Sequence, residues 1–219
     1  MKVILFGATG MVGQGVLREC LLDDEVRGVL AIGRTPTRQQ HEKLRGIVHQ
    51  DLFNLSSIEV ELTGYDACFF CLGVSAVGMK EQDYRRLTYD LTLSIAQTLV
   101  RLNMGMAFIY VSGAGTDSTE TGRSMWARVK GKTENALLKL PFKAAYMFRP
   151  AYIQPLHGIV PKTKLYRVLY AVMAPLYPVW KVLFSKYVTT TEQVGCAMIQ
   201  VALHGAPKRI LEVQDINAI

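Results

Sequence analysis

The chain has 219 residues, 50% of them apolar and 20% charged, with a formal net charge of +7. That is enough chain to bury one sizeable core without a second domain, and no stretch reads as a linker, an internal repeat or a low-complexity segment. The positive balance alone does not indicate a nucleic-acid partner, because no nucleic-acid-binding motif accompanies it.

The first fifteen residues of the pattern, Lys2 to Val16, are the most informative. An apolar run from Val3 to Phe6 is closed by Gly7, and after Gly10 the apolar residues Met11, Val12, Val16, Leu17 and Leu21 recur at helical spacing. Strand, tight turn and helix in that order make a phosphate cradle. Gly7 lets the chain leave the strand, Gly10 lets backbone approach a pyrophosphate, and Gly13 lets the helix pack on the strand. The helix start offers unpaired N–H groups and the positive end of its dipole to the anion. Gly7, Thr9, Gly10, Met11, Val12 and Gly13 are therefore the expected wall of a dinucleotide site. Because Met1-Lys2-Val3 runs straight into this strand, no signal peptide is expected, and a cytoplasmic protein is.

The first helix should end near Leu22, before Asp23-Asp24-Glu25. Gly28 to Ile32 reads as the second strand and delivers Gly33-Arg34-Thr35-Pro36 at its end. In dinucleotide folds an acid here holds the ribose hydroxyls of NAD, whereas an Arg accommodates the 2′-phosphate of NADP. Arg34 occupies that place, so NADP is expected over NAD. A third strand, Gly46 to Gln50, leads to Asp51-Leu52, where the acid can meet the adenine amino group or cap its own turn. Ser56 to Leu62 reads as a short helix. Ala67 to Leu72 is the fourth strand and ends in Gly73-Val74-Ser75, where small residues let a cofactor ribose approach the sheet; Cys71, Leu72 and Gly73 are the cofactor-binding residues expected there.

Cys68 and Cys71 form a C-x-x-C, but within a buried strand they point to opposite faces, so a core role is expected. His41, His49, His157 and His204 lack metal-ligand spacing, and no metal is expected. Lys80 to Arg101 carries the longest helical stripe, of the kind that faces a core or a dimer partner. Ala107 to Val111 is the fifth strand and ends in Ser112-Gly113. A helix from Ser124 to about Leu140 and a sixth strand from Ala144 to Phe148 follow, the latter closing on Arg149-Pro150.

The ordered motifs Gly-Ala-Thr-Gly-Met-Val-Gly, Cys-Leu-Gly at 71 to 73, Val-Ser-Gly at 111 to 113, Val-Lys-Gly-Lys-Thr-Glu at 129 to 134 and Phe-Arg-Pro at 148 to 150 resemble those of the atypical short-chain dehydrogenase/reductases. Over residues 2 to 155 the chain is most similar to the group of the Tat-interacting oxidoreductase. The resemblance implies a Rossmann-like α/β fold, a doubly wound parallel sheet with helices on both faces, and a nicotinamide cofactor touched by Lys130, Arg149 and Pro150. It also implies a catalytic Ser, Tyr and Lys. Ser112 and Lys130 match, but the Tyr position is Trp126, whose indole donates a hydrogen bond and does not titrate. An oxidoreductase acting on a small, rather apolar carbonyl or alcohol then needs another proton donor; Tyr84, Tyr89, Tyr110 and Tyr152 are candidates, with Tyr152 favoured. The alternative is a catalytically silent NADP-binding protein that regulates or binds partners.

Residues 156 to 188 should form a basic, apolar helical lid or substrate-side insertion on the single domain. Five basic residues and no acid lie between Lys162 and Lys186, and two prolines with Arg167 and Lys181 argue against a membrane span. A peripheral contact with anionic membrane is the other use of such a segment; an oligomer is also compatible. Thr190 and Gln193 form a capping box for a last helix, and Arg209 to Val213 a last strand.

Overall fold

The structure, a computed structural model, describes residues 1–160 and 185–219. Seven parallel strands form its centre: β1 (Lys2–Phe6), β2 (Gly28–Gly33), β3 (Leu44–Val48), β4 (Ala67–Phe70), β5 (Ala107–Val111), β6 (Ala144–Arg149) and, late in the chain, β9 (Ile210–Glu212). Their spatial order is β3-β2-β1-β4-β5-β6-β9. The connection reverses direction across the sheet at β1 and β4, which places a crevice at the carboxyl ends of those strands.

Near-continuous apolar strands are what a sheet covered on both faces requires. Val3, Leu5, Ala31, Phe69, Ile109 and Phe148 point to one face. There they pack on α1 (Met11–Leu22) and α5 (Thr191–His204). The alternate residues Ile4, Phe6, Leu30, Phe70, Phe108 and Met147 point to the other, against Ile95, Ala96 and Leu99 of α3 (Leu91–Leu102) and Leu137 of α4 (Met125–Leu138). The doubly wound architecture is thus as expected, and four of the first six strands fall within a residue or so of where the apolar runs put them.

Departures have local causes. The third strand is Leu44–Val48 instead of 46 to 50; it is a sheet edge whose residues are mostly exposed, so its pattern says little about register. The fourth ends at Phe70, two residues early. The long helix is broken into α2 (Glu81–Arg85), a π turn at Arg86–Asp90 and α3. A parallel pair, β7 (Tyr152–Gln154) with β8 (Val188–Thr190), stands apart from the main sheet. Thr190 does cap α5, its Oγ1 accepting from Gln193 N at 2.9 Å, but Gln193 Nε2 donates to Ile216 O at 3.0 Å instead of closing the box. The reciprocal box forms at Glu212 and Asp215, at the start of a final helix, α6 (Val213–Ala218). Most of the proposed lid, 161 to 184, lies outside the described residues.

α1 and α5 meet through glycine. A Cβ on Gly15 would lie 2.6 Å from Thr191 Cβ and 2.7 Å from its carbonyl oxygen. Gly15→Ala should therefore cost about 1–3 kcal/mol by overpacking, read as a lower urea midpoint. Gly105→Ala, with nothing within 4 Å, serves as the near-neutral control.

Candidate functional site

The turn after β1 is shaped by two close approaches. Gly7 has φ +85°, and a Cβ on it would lie 2.6 Å from the Cys71 carbonyl oxygen at the end of β4; a Cβ on Gly13 would lie 2.0 Å from the Gly7 carbonyl oxygen. Both positions are closed to any side chain. Gly10 is less constrained, with a would-be Cβ 3.3 Å from Gly7 O. Its amide donates to Gly7 O at 2.9 Å, and it is the N-cap of α1 with no side-chain cap. Whereas Thr190 caps α5, the start of α1 at Met11 and Val12 keeps its N–H groups available to an anion. This cradle fits a dinucleotide pyrophosphate.

A cavity of about 570 Å³ runs from Gly7, Ala8 and Thr9 to Arg34 and Thr37, walled by Ile32, Leu52 and Leu72. A smaller one of about 180 Å³ joins Arg34 to Asp51, Leu52, Leu72 and Gly73. Arg34 is exposed at the rim, and Gln50 Nε2 holds its carbonyl oxygen at 3.1 Å. Thr9 O accepts from Gln14 Nε2 at 3.2 Å. Asp51 Oδ1 accepts from Phe53 N at 3.0 Å, so the carboxylate does cap its own turn while bordering the smaller cavity. Cys71 stands behind Leu72, and burial pushes its thiol up to about 12. All four cysteines are free thiols.

At the other half of the crevice, Trp126, Lys130 and Glu134 recur every fourth residue on one face of α4. Lys130 Nζ donates to the Ser112 carbonyl oxygen and lies 6.0 Å from the Trp126 ring centroid. Burial pulls the Lys130 ammonium down to about 8, with the Glu134 carboxylate opposing. The Ser112 hydroxyl donates to Glu134 Oε1 and lies 3.1 Å from Phe148 O, so it is turned into the protein. Glu134, with no exposure, is also the partner of Arg149, whose Nε lies 3.1 Å from Oε1 and 3.2 Å from Oε2. The remaining Arg149 nitrogens reach Ser118 Oγ at 2.5 Å and Glu212 Oε1 at 3.3 Å. Its guanidinium is thus spent within the protein. Pro150 O accepts from Ala114 N at 2.9 Å. Sequence reading passed over Glu134; its place one turn after Lys130 was the available signal.

The candidate tyrosines separate. Tyr84 and Tyr110 are buried, and burial raises both hydroxyl pKa values. The Tyr89 ring receives Arg85 and Lys132 at 5.6 and 5.3 Å. Tyr152 is half-buried and donates to Gln154 Oε1 at 2.8 Å.

Strand order, glycine turn and uncapped helix define a Rossmann-type dinucleotide-binding domain. No protein-family model matches the sequence. The chain is 26% identical to the rat protein HTATIP2 over 154 residues, 69% of this chain and 62% of that protein. It is 30% identical over 159 residues to protein fmp52, mitochondrial, of Emericella nidulans, covering 69% and 66% of the two. Bordetella bronchiseptica WbmF, solved with NAD+, superposes with TM-score 0.66 at 13% identity over 99% of this chain and 76% of that one. The chain is thus similar to the atypical short-chain dehydrogenase/reductases, and its fold is that of their NAD(P)-binding Rossmann domain. The match spans 62% to 66% of the length of these curated relatives.

The expectation of a cytoplasmic protein is overturned: fungal relatives from Emericella, Aspergillus terreus and Chaetomium globosum carry mitochondrial names. Free thiols fit any reducing compartment and could not choose between them. No helix among the described residues is long and apolar enough to cross a membrane.

Breaking the buried pair should be expensive. Arg149→Met leaves the Glu134 carboxylate desolvated, and a loss of about 3–5 kcal/mol is expected. Urea unfolding checks it, with the double variant Glu134→Gln/Arg149→Met recovering part of the loss.

Proposed function

We propose that the chain is an NADP(H)-dependent oxidoreductase acting on a small, rather apolar carbonyl or alcohol. The observation that supports this best is the cavity that begins at the uncapped start of α1 and ends at Arg34. A pyrophosphate at the helix start puts the adenosine ribose towards β2, where a guanidinium in place of an acid suits a 2′-phosphate. Gly7, Thr9, Gly10, Met11, Val12 and Gly13 hold the pyrophosphate; Asp51, Leu52, Leu72 and Gly73 line the adenosine and ribose side, with Cys71 backing Leu72. Lys130, Arg149 and Pro150 frame the nicotinamide end, Arg149 by holding Glu134 instead of touching the dinucleotide. The apolar body of residues 162 to 186 favours an apolar substrate.

The dinucleotide, when bound, supplies the hydride. The protein must place the carbonyl and deliver one proton. Trp126 Nε1–H can donate a hydrogen bond to the carbonyl oxygen but cannot release its proton. Lys130 is the better source: it occupies the position of the family's Lys, and a group titrating at about 8 is suited to general acid work near neutrality. Tyr152 is the second candidate. Ser112 acts through its carbonyl oxygen, which holds the Lys130 ammonium in place.

One observation favours a catalytically silent NADP-binding protein: the Ser112 hydroxyl is engaged by Glu134 while Trp126 replaces the titratable Tyr. The two readings differ in turnover. With Lys130 as the acid, carbonyl reduction is fastest while the ammonium is protonated and falls as pH rises through about 8. Lys130→Met should lower kcat by about 10²–10⁴-fold. NADPH binding without turnover on any small aldehyde or ketone would support the silent protein. For cofactor choice, Arg34→Asp should weaken NADPH at least about tenfold in calorimetry, the effect of losing roughly 1.4 kcal/mol of phosphate pairing, and leave NADH unchanged or improved. Equal affinities before and after the substitution would remove NADP from the account.

A further inference from the structure

Away from the crevice, three chemistry-bearing side chains from separate segments meet. Glu19 in the second half of α1, His157 in the loop after β7 and Glu192 in the first turn of α5 each place a ligand-type atom within 4.8 Å of the others. Packing enforces the meeting. A Cβ on Gly195 would lie 2.7 Å from Glu19 Cγ, so the missing side chain on α5 is what lets Glu19 lie across that helix. Glu19 is 8% exposed. Its Oε1 receives Arg18 Nη1 at 2.5 Å, and Cys196 Sγ lies 3.8 Å from Oε2. His157 Nε2 stands 2.5 Å from Glu192 Oε2. Glu192 and Cys196 are one helical turn apart on the same face of α5.

Two carboxylates brought this close repel each other, and Arg18 is paired with one oxygen of Glu19. A cation between Glu19 and Glu192 resolves the repulsion. The donors choose its kind. Magnesium and calcium take oxygen ligands, whereas an imidazole with carboxylates and a neighbouring thiol suits zinc and other borderline divalent ions.

We propose that Glu19, His157 and Glu192 bind a divalent transition-metal ion of the zinc type, with the Cys196 thiol beside it. The ion clamps α1, whose other end forms the glycine turn, to α5 and to the loop after β7. No spacing in the sequence announces the site, since its ligands are gathered only by folding. This proposal stands independently of the dinucleotide reading.

The test is calorimetric titration of the protein, carrying no histidine tag, with zinc chloride, together with its melting temperature. One zinc per chain and a higher melting temperature are expected, the latter because an ion that binds only the folded state stabilises it. His157→Ala and Glu192→Gln, both at sites with solvent access, should each weaken zinc at least tenfold and leave melting of the zinc-free protein within a few degrees. Absence of zinc binding would reduce the cluster to an ordinary ion pair and overturn the proposal. So would binding of undiminished strength in both variants, which would put the ion on other groups.

Discussion

The contact between the Gly7 carbonyl and the backbone of Gly13 is the constraint on which the crevice depends. A side chain at either position would push α1 off the sheet, since a Cβ on Gly13 would come within 2.0 Å of that oxygen. With both positions bare, the uncapped start of α1 sits against the ends of β1 and β4, where the sheet order reverses. An anion there meets N–H groups that no side chain caps among the described residues. Strand order and helix dipole thus act at one point, and the cavity towards Arg34 extends from it. The same economy of side chains recurs where α1 crosses α5, at Gly15 and Gly195, so the helix is positioned along its length by missing Cβ atoms.

The opposite half of the crevice rests on a different interaction. Glu134 and Arg149 are taken out of water together, and each compensates the charge of the other. Ser112 and Lys130 are tied to this pair, the hydroxyl directly and the ammonium through the Ser112 carbonyl oxygen. A buried ion pair is weak evidence for stability but strong evidence for fixed geometry, because removing one partner strands the other. The pair therefore sets where Lys130 sits. It also withdraws from the crevice two groups that the family motifs point to.

The sheet was legible because its strands are apolar on both faces and bounded by glycine or charged turns. Cys68 and Phe70 illustrate the point: their alternation inside a continuous apolar run is that of a doubly covered strand. The glycine turn was equally legible, since a strand before it and helical spacing after it leave few other conformations. What escaped was set by partners distant in sequence. Leu44–Val48 is an exposed edge whose register depends on β2 alone. β7 and β8 are three residues each and form only by pairing across a long intervening segment. Arg149 looked available to a ligand until Glu134 and Glu212 converged on it, and Gln193 could not be known to prefer Ile216 over its own helix start. Glu19, His157 and Glu192 lie on three separate segments, so no local pattern connects them.

The central claim is that the glycine turn and Arg34 hold a phosphorylated nicotinamide dinucleotide, and the most direct measurement is the melting temperature of the protein with NADPH and with NADH. A ligand at a hundred times its dissociation constant adds about 2.7 kcal/mol, which for a domain of this size is a rise of roughly 5 to 11 °C. The account predicts that rise with NADPH and a smaller one with NADH at equal concentration. No rise with either would make the turn a purely structural feature and contradict the account.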